Sequence, residues 1–422
     1  MKYSVPSDII NLRQLEFYKR LKFELGDQIY LVGGAVRDML LDKPVKDYDL
    51  LVTGLPLDDL ETILSGYGKV DAVGKSFGIL KFRPIGHLEL EFDIAVPRIE
   101  TKTGDGHTGF KVELGHVTLE QDLFRRDFTI NAMALALDSL LIVDPYGGRE
   151  DIEKGSIRVV NPNAFQEDPL RMLRAVQFGA RFGFTIEEET RRLIFENIAT
   201  INQISGERVL GELEKIVSKG KPSVGALLLM QTGLYTPIFG RTYPSFKFDS
   251  LALDTCETVA EFVFVMTYGG GGAEIPPTQL WKERLKGDIA GYKEIQALEV
   301  ANDVGAWRNS GDSRYAFHRA FSLSTRIMDT DLIPNESKKN RSEFRTGYMP
   351  TGLKDLEING EDLLAAGYEG FDIGIGLKGC LLGIYREEVR NEKAALMAFV
   401  AKLLPLTPNE NPASNADSAT NE

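Results

Sequence analysis

The chain has 422 residues, of which 43% are hydrophobic and 26% charged, and its formal net charge is −13. Such a length exceeds what one compact core usually holds, so two to four domains or subdomains and a sizeable buried core are expected. The acidic balance argues against a surface coated in cations, as on a strong nonspecific nucleic-acid binder, but leaves room for an enzyme with a local basic groove.

The apolar stretches all break before the roughly 18 residues that a membrane span requires. The segment MKYSVPSDIINLRQLEFYKR lacks the basic, apolar and small-residue order of a secretory signal. No membrane association and a cytoplasmic location are therefore expected. Cys256 and Cys380 are the only cysteines. They are far apart and have no CxxC or Cys/His cluster near them, so both are expected in the core rather than in a disulfide or zinc site.

In chain order, QIYLVGGAVRDMLLDKPVKDYDLLVT, residues 28–53, predicts a strand, a glycine turn, a short helix and a second strand. Further strands are predicted at 78–83 and 88–96, giving a small mixed sheet with helices through about residue 140. From Phe165 onward EDPLRMLRAVQFGARF, EEETRRLIFENIATI and GERVLGELEKIV place apolar residues three and four apart, as helices do. The region from about 220 to 406 is also predicted mostly helical, with loops at TYGGGGAEIPPT and ESKKNRSEFRTGY. After Leu406 the chain is too poor in apolar residues to order itself.

Asp47 and Asp49 sit two apart on a predicted strand, so their carboxylates share a face. Such a pair suits Mg²⁺, which takes hard oxygen ligands and completes its shell with substrate phosphates and water. A DxD by itself is most often a solvated turn. Here Gly33 and Gly34 precede it at a strand-to-helix turn, where backbone N–H groups favour an anion, and Arg37 adds a phosphate contact from that helix. In LELEFDIAVPR, alternation puts Glu89, Glu91 and Asp93 on one face. Asp93 is a candidate third metal ligand, with a solvent-facing acidic edge as the alternative. RRDFTINAMAL is expected to enter an apolar helix, with Asp127 as a cap and Asn131 as a buried polar group.

The runs LVGGAVRDMLLDKPVKDYDLLV, VGKSFGILKF, LFRRDFTINAMAL and EDPLRMLRAVQFGARF resemble the successive motifs of the class II CCA-adding tRNA nucleotidyltransferase and poly(A) polymerase family. The likeness covers about residues 28–216 in the family's order, with a weaker one in LEINGEDLLAAGYEGFDIGIGLKGCLLGIYREEVRNEKAAL. It implies an α+β fold: a polymerase-β-like nucleotidyltransferase head followed by an all-α neck, body and tail. Taken with the composition, it divides the chain into a head at 1–140, a neck with a nucleotide-template helix at 141–218, a tRNA-binding body and tail at 219–406, and a disordered end at 407–422.

Carried over by position, the resemblance puts Asp47 and Asp49 on the catalytic Mg²⁺. It puts Gly34, Arg37 and Arg126 on the nucleotide's phosphates or sugar, with Asp127 and Asn131 completing that motif. Asp168 and Arg171, three apart on a predicted helix, act as one base reader. A carboxylate accepts from the exocyclic amine of cytosine or adenine, while an arginine donates to the adjacent ring nitrogen. Guanine and uracil meet each group with the wrong partner, at roughly 1 to 3 kcal/mol per mismatch. Arg174 continues that face; Gln177 stands where other members often have arginine, so no contact is assigned to it.

Glu207 and Arg208 fall in a motif that stabilises the template helix. His87, His107, His116 and His318 fit no triad or zinc spacing. Lys338, Lys339, Arg341 and Arg345 are candidate tRNA-backbone contacts, beside the alternative of a solvated loop. The expected partners are the tRNA 3′ end, CTP and ATP, with no obligate protein partner. Full CCA addition needs a flexible loop before RRDF, and PRIETKTGDGHTGFKVELGHVTLEQDL is long enough to serve. A-adding or CC-adding specialists, a poly(A) polymerase, and a noncatalytic RNA-binding protein on the same fold are the competing possibilities.

Overall fold

The computed structural model describes residues 3–405 apart from 73, 76, 77, 88, 103–109, 115, 116, 241–249, 269–274, 303–349, 351 and 387. Lys338, Lys339, Arg341, Arg345, His107, His116, His318 and the end at 407–422 lie outside the described residues. The chain divides into two compact units, 1–288 and 289–422.

In the first unit, helices α1 (Ser7–Leu12) and α2 (Glu16–Leu25) lead into β1 (Ile29–Val32), α3 (Gly34–Leu40), β2 (Tyr48–Val52) and α4 (Leu57–Ser65). Then come β3 (Gly68–Asp71), β4 (Ile79–Pro84), β5 (Phe92–Ala95), β6 (Arg98–Lys102), β7 (Phe110–Leu114), α5 (Leu119–Phe124), β8 (Ala134–Ala136) and β9 (Ile142–Val143). Seven of these strands form one mixed sheet in the order β3-β4-β5-β2-β1-β8-β9. The pairing of β2 with β5 is parallel, whereas the other pairs in this sheet are antiparallel. Buried apolar residues fill most of β1, β2 and β8, whereas β4 and β5 alternate buried with more exposed positions, so one face there is open. Phe17 of α2 meets Phe82 of β4 edge-on at 4.9 Å and lies 5.3 Å from Phe92 of β5, sealing one face.

Three local expectations give way. The strand expected at 88–96 is confined to Phe92–Ala95. The glycine-rich stretch expected as a loop contains β6 and β7, paired antiparallel from Arg98↔Leu114 to Lys102↔Phe110. RRDFTINAMAL forms a 3-10 turn at Thr129–Asn131 and then strand β8, which pairs with β1, instead of a helix. Its apolar run is short enough to fill a buried strand as well as a helix, and periodicity does not separate the two.

Beyond the sheet the first unit is helical: α6 (Gly148–Lys154), α7 (Ala164–Glu167), α8 (Leu170–Phe182), α9 (Glu188–Asn197), α10 (Gly206–Lys219) and α11 (Pro222–Gln231) carry most of it, with a two-stranded parallel pair, Ser156–Ile157 with Thr185–Ile186. A Cβ on Gly179 of α8 would stand 2.5 Å from Leu228 Cδ1, so the glycine lets α8 and α11 approach closely. In the second unit, helices Phe371–Tyr385 and Lys393–Leu403 pack through Gly379 and Gly383, where a Cβ would come within 2.3 Å of Leu403 and 2.7 Å of Phe399. Asn359 and Asp362 form a capping box on the helix Gly360–Ala365. Cys256 and Cys380 are both buried, as expected of core residues. No helix among the described residues is long and apolar enough to cross a membrane.

Candidate active site

The turn between β1 and α3 places Gly33 at φ +67° and ψ −128°, a conformation that disfavours any residue with a Cβ. A Cβ there would also stand 2.6 Å from Nη1 of Arg126. The glycine pair therefore lets an arginine 93 residues away sit against the turn, a close approach that sequence spacing could not reveal.

Asp49 lies in β2, and Asp47 immediately precedes the strand. Parallel pairing sets Asp49 level with Asp93 on β5. The Asp49 carboxyl is pushed above the usual carboxylate range, mainly by burial, with Asp93 and Asp47 adding repulsion and Arg126 opposing them. The expected acidic row on β5 is split. Asp93 Oδ1 stands 3.1 Å from Lys81 Nζ, Glu91 bridges to Lys81 and Arg83, and Glu89 lies 3.4 Å from His87. Among the described residues, no group of three or more His, Cys, Asp or Glu is arranged to enclose a metal. Asp47 and Asp49 still fit Mg²⁺, which needs only one or two protein carboxylates when phosphates and water complete its shell. A half-buried carboxylate crowded by two others is what such a cation would relieve.

Asp127 is treated differently. Burial alone would raise its pKa, yet Arg174, Asn131 and the Phe128 amide hold it below the usual carboxylate range. Arg174 donates to Oδ2 from Nε and Nη2 at 2.9 and 2.6 Å, while Phe128 N and Asn131 Nδ2 donate to Oδ1 at 2.8 and 3.0 Å. Asn131 Oδ1 then accepts from Arg37 Nη1 at 2.5 Å. Arg37 is only 5% exposed, bonds Asp38 as well, and shares the Phe178 ring with Arg174 at 5.5 and 5.2 Å. Asp127 and Asn131 thus hold the two arginines in place, joining α3 of the head to α8.

Asp168 does not lie on α8, the helix on which it was expected. Helix α7 ends at Glu167 and α8 begins at Leu170, with Asp168 extended at φ −137° and ψ 99° before Pro169. Proline drives the preceding residue out of the helical region, which breaks the continuous helix expected from periodicity. Asp168 Oδ1 accepts from Leu170 N at 3.2 Å, and Arg208 Nη2 reaches the two carboxylate oxygens at 3.4 and 3.3 Å. Arg171 donates to the Arg125 carbonyl at 2.8 Å and to Glu167 at 3.2 Å. Even so, Asp168, Arg171 and Arg174 line one cleft of about 550 Å³ with Gly33, Gly34, Arg37, Asp49, Arg126, Asp127 and Asn131. Nine arginines and lysines line this cleft against three aspartates, so an acidic chain does carry a local basic groove.

Residues 29–158 match the poly A polymerase head domain, and residues 183–247 match a probable RNA- and SrmB-binding site of polymerase A. The multifunctional CCA protein of Haemophilus ducreyi is 42% identical over 218 residues, 50% of this chain and 50% of that protein. Over that half the chain is similar to the multifunctional CCA proteins, and its matched segments carry the poly A polymerase head and RNA-binding patterns. The Stenotrophomonas maltophilia multifunctional CCA protein is 46% identical over 202 residues, 46% of this chain and 47% of its own length. These matches span about half the length of the curated relatives. The crystal structure of the Bacillus stearothermophilus CCA-adding enzyme in complex with CTP is similar with a TM-score of 0.64 at 27% identity, covering 93% of this chain and 97% of that one.

Residues outside the recognised motifs line or support the cleft. Asp122, fully buried, takes Arg125 at 2.8 Å and Arg126 at 3.3 Å and so aims both arginines of RRDF. Arg181, Lys215 and Lys219 add charge, and Arg208, read as structural, reaches Asp168 directly. The signal was present: Arg171, Arg174, Phe178 and Arg181 on α8, and Arg208, Lys215 and Lys219 on α10, recur at three-, four- and seven-residue steps. Gln177 is 2% exposed at the cleft wall.

Proposed function

We propose that this chain is a template-independent tRNA nucleotidyltransferase that adds CCA to the tRNA 3′ end from CTP and ATP, in the cytoplasm. The observation that carries this is one basic cleft that unites Asp49 with Asp168, Arg171 and Arg174. One end supplies carboxylate oxygens for a hard cation and the other a carboxylate and guanidinium for a base edge. The curated relatives' names and the family match point the same way.

In this scheme Asp47 and Asp49 hold Mg²⁺, which when bound neutralises phosphate charge at the reacting centre. Arg126, pressed on the Gly33 turn, and Arg37 provide cations for the triphosphate. Asp168 accepts from the exocyclic amine of cytosine or adenine while Arg171 donates to the ring nitrogen beside it. The RNA 3′-oxygen bonds to the α-phosphorus as its bond to the pyrophosphate oxygen breaks. We further propose the division into head 1–140, neck 141–218, body and tail 219–406, and end 407–422, with Asp93 tuning charge beside Asp49.

The test is incorporation of labelled CTP and ATP, separately and together, into tRNA transcripts ending at the discriminator base, at C and at CC. Addition of two C and one A is the expected result. Incorporation of A on the CC-ended transcript alone would replace it with an A-adding activity, and no incorporation would overturn it.

A further inference from the structure

A second cleft, of about 450 Å³, shares Gly34, Arg37, Asp49, Arg181 and Lys219 with the first, whereas Lys43, Lys46 and Asp47 line only the second. Its cations gather round one ring: Lys43 Nζ and the guanidinium groups of Arg37 and Arg181 stand 4.7, 4.8 and 4.9 Å from the Phe182 centroid. Lys46 and Lys219 also line it. Asp38 takes Arg37 at 2.7 Å and lies 3.6 Å from Arg181, but Lys43 and Lys46 have no carboxylate partner among the described residues. Cations held this close repel one another, and an anion among them removes that cost.

We infer that this second cleft is a phosphate site that receives a terminal phosphodiester of the RNA being extended. The inference rests on the nucleotidyltransferase function proposed above. In-line displacement puts the attacking oxygen and the departing pyrophosphate on opposite sides of the α-phosphorus. The base-reading residues lie in the first cleft, and Asp49 borders both. A nucleotide seated in the first cleft presents its α-phosphate at Asp49, so the attacking strand reaches Asp49 through the second. Lys43 and Lys46 then hold its phosphate, as point charges that position the strand without reading its sequence.

Lys43 and Lys46 are exposed, so replacing them leaves the core untouched. Steady-state kinetics of Lys43→Ala/Lys46→Ala on a CC-ended tRNA transcript should show KM for the RNA raised tenfold or more. KM for ATP should stay within twofold, and the arginine double variant should restore the RNA term. Salt titration of transcript binding, followed by fluorescence anisotropy, should lose roughly one unit of slope in log affinity against log salt. A raised KM for ATP and weaker pyrophosphate inhibition, with the RNA term unchanged, would overturn the primer assignment and give the cleft to the leaving group. No change in any of these would overturn the phosphate site. A wild-type enzyme that binds transcript but incorporates nothing would instead overturn the proposed function, and the salt titration would still test the cleft.

Discussion

Two carboxylates that line one cleft, the half-buried Asp49 and the buried Asp127, are handled in opposite ways. Asp127 is enclosed by Arg174, Asn131 and a backbone amide, and its pKa is held down. Asp49 is half-buried beside Asp47 and Asp93, and its pKa is pushed up. A carboxylate whose charge the protein already balances is part of the framework. One that the protein leaves crowded by like charge carries a standing cost to the folded state, which the cation proposed for it would relieve.

The difference can be broken at either end, and the largest effect is expected at Asp49. Asp49→Ala should lower nucleotide incorporation by at least 10³-fold, equivalent to about 4 kcal/mol, while denaturant titration in chelator shows no loss of stability. Asp127→Ala should do the reverse. Stranding Arg174 and Asn131 costs about 3 kcal/mol of folding stability, read by the same titration, with activity falling only as far as Arg174 and Arg37 lose their places.

The pH dependences separate the two further. Asp127 has a lowered folded pKa, so its contribution is full above the unfolded pKa and disappears as pH falls through the folded one. Asp49 has a raised folded pKa, so its ionisation penalises the folded state fully above that value and not at all below the unfolded pKa. Thermal melts in chelator should therefore show Asp49→Asn stabilising at neutral pH and neutral in acid, whereas the Asp127→Asn deficit shrinks on acidification.

Smaller effects sharpen the contrast between framework and reader. Asp168→Ala should reduce discrimination of CTP over UTP by ten- to a hundredfold, about 1 to 3 kcal/mol, measured as the ratio of kcat/KM values. An unchanged ratio would remove Asp168 from the reader. At the far end of the scale, Lys393→Ala breaks a 2.6 Å pair with Asp362 whose lysine side chain is 63% exposed, and should cost under about 1 kcal/mol.

Much of the cleft was legible locally. The strand, glycine turn, helix and DxD unit needs only short-range pattern, and it folds as β1, α3 and β2. The break at Pro169 was also local, but helical periodicity on both sides outweighed it. The β6–β7 ribbon was legible only in part, because glycine and polar residues in the same stretch read as loop. The contacts of Arg208 with Asp168, Arg174 with Asp127 and Arg171 with the Arg125 carbonyl join residues 40, 47 and 46 apart. No local pattern carries them.

The sequence by itself determined the residue types and the element that bears each: paired aspartates on a strand start, glycines at a turn, arginines at helical spacing. Backbone sterics and hydrophobic periodicity act over a few residues, so a one-dimensional pattern suffices. Only the tertiary structure decided which charges are neutralised and which are left waiting, because burial and ion pairing depend on groups brought together from distant segments. Asp127 and Asn131 line the cleft and also hold Arg174 and Arg37, because the fold set those side chains around them.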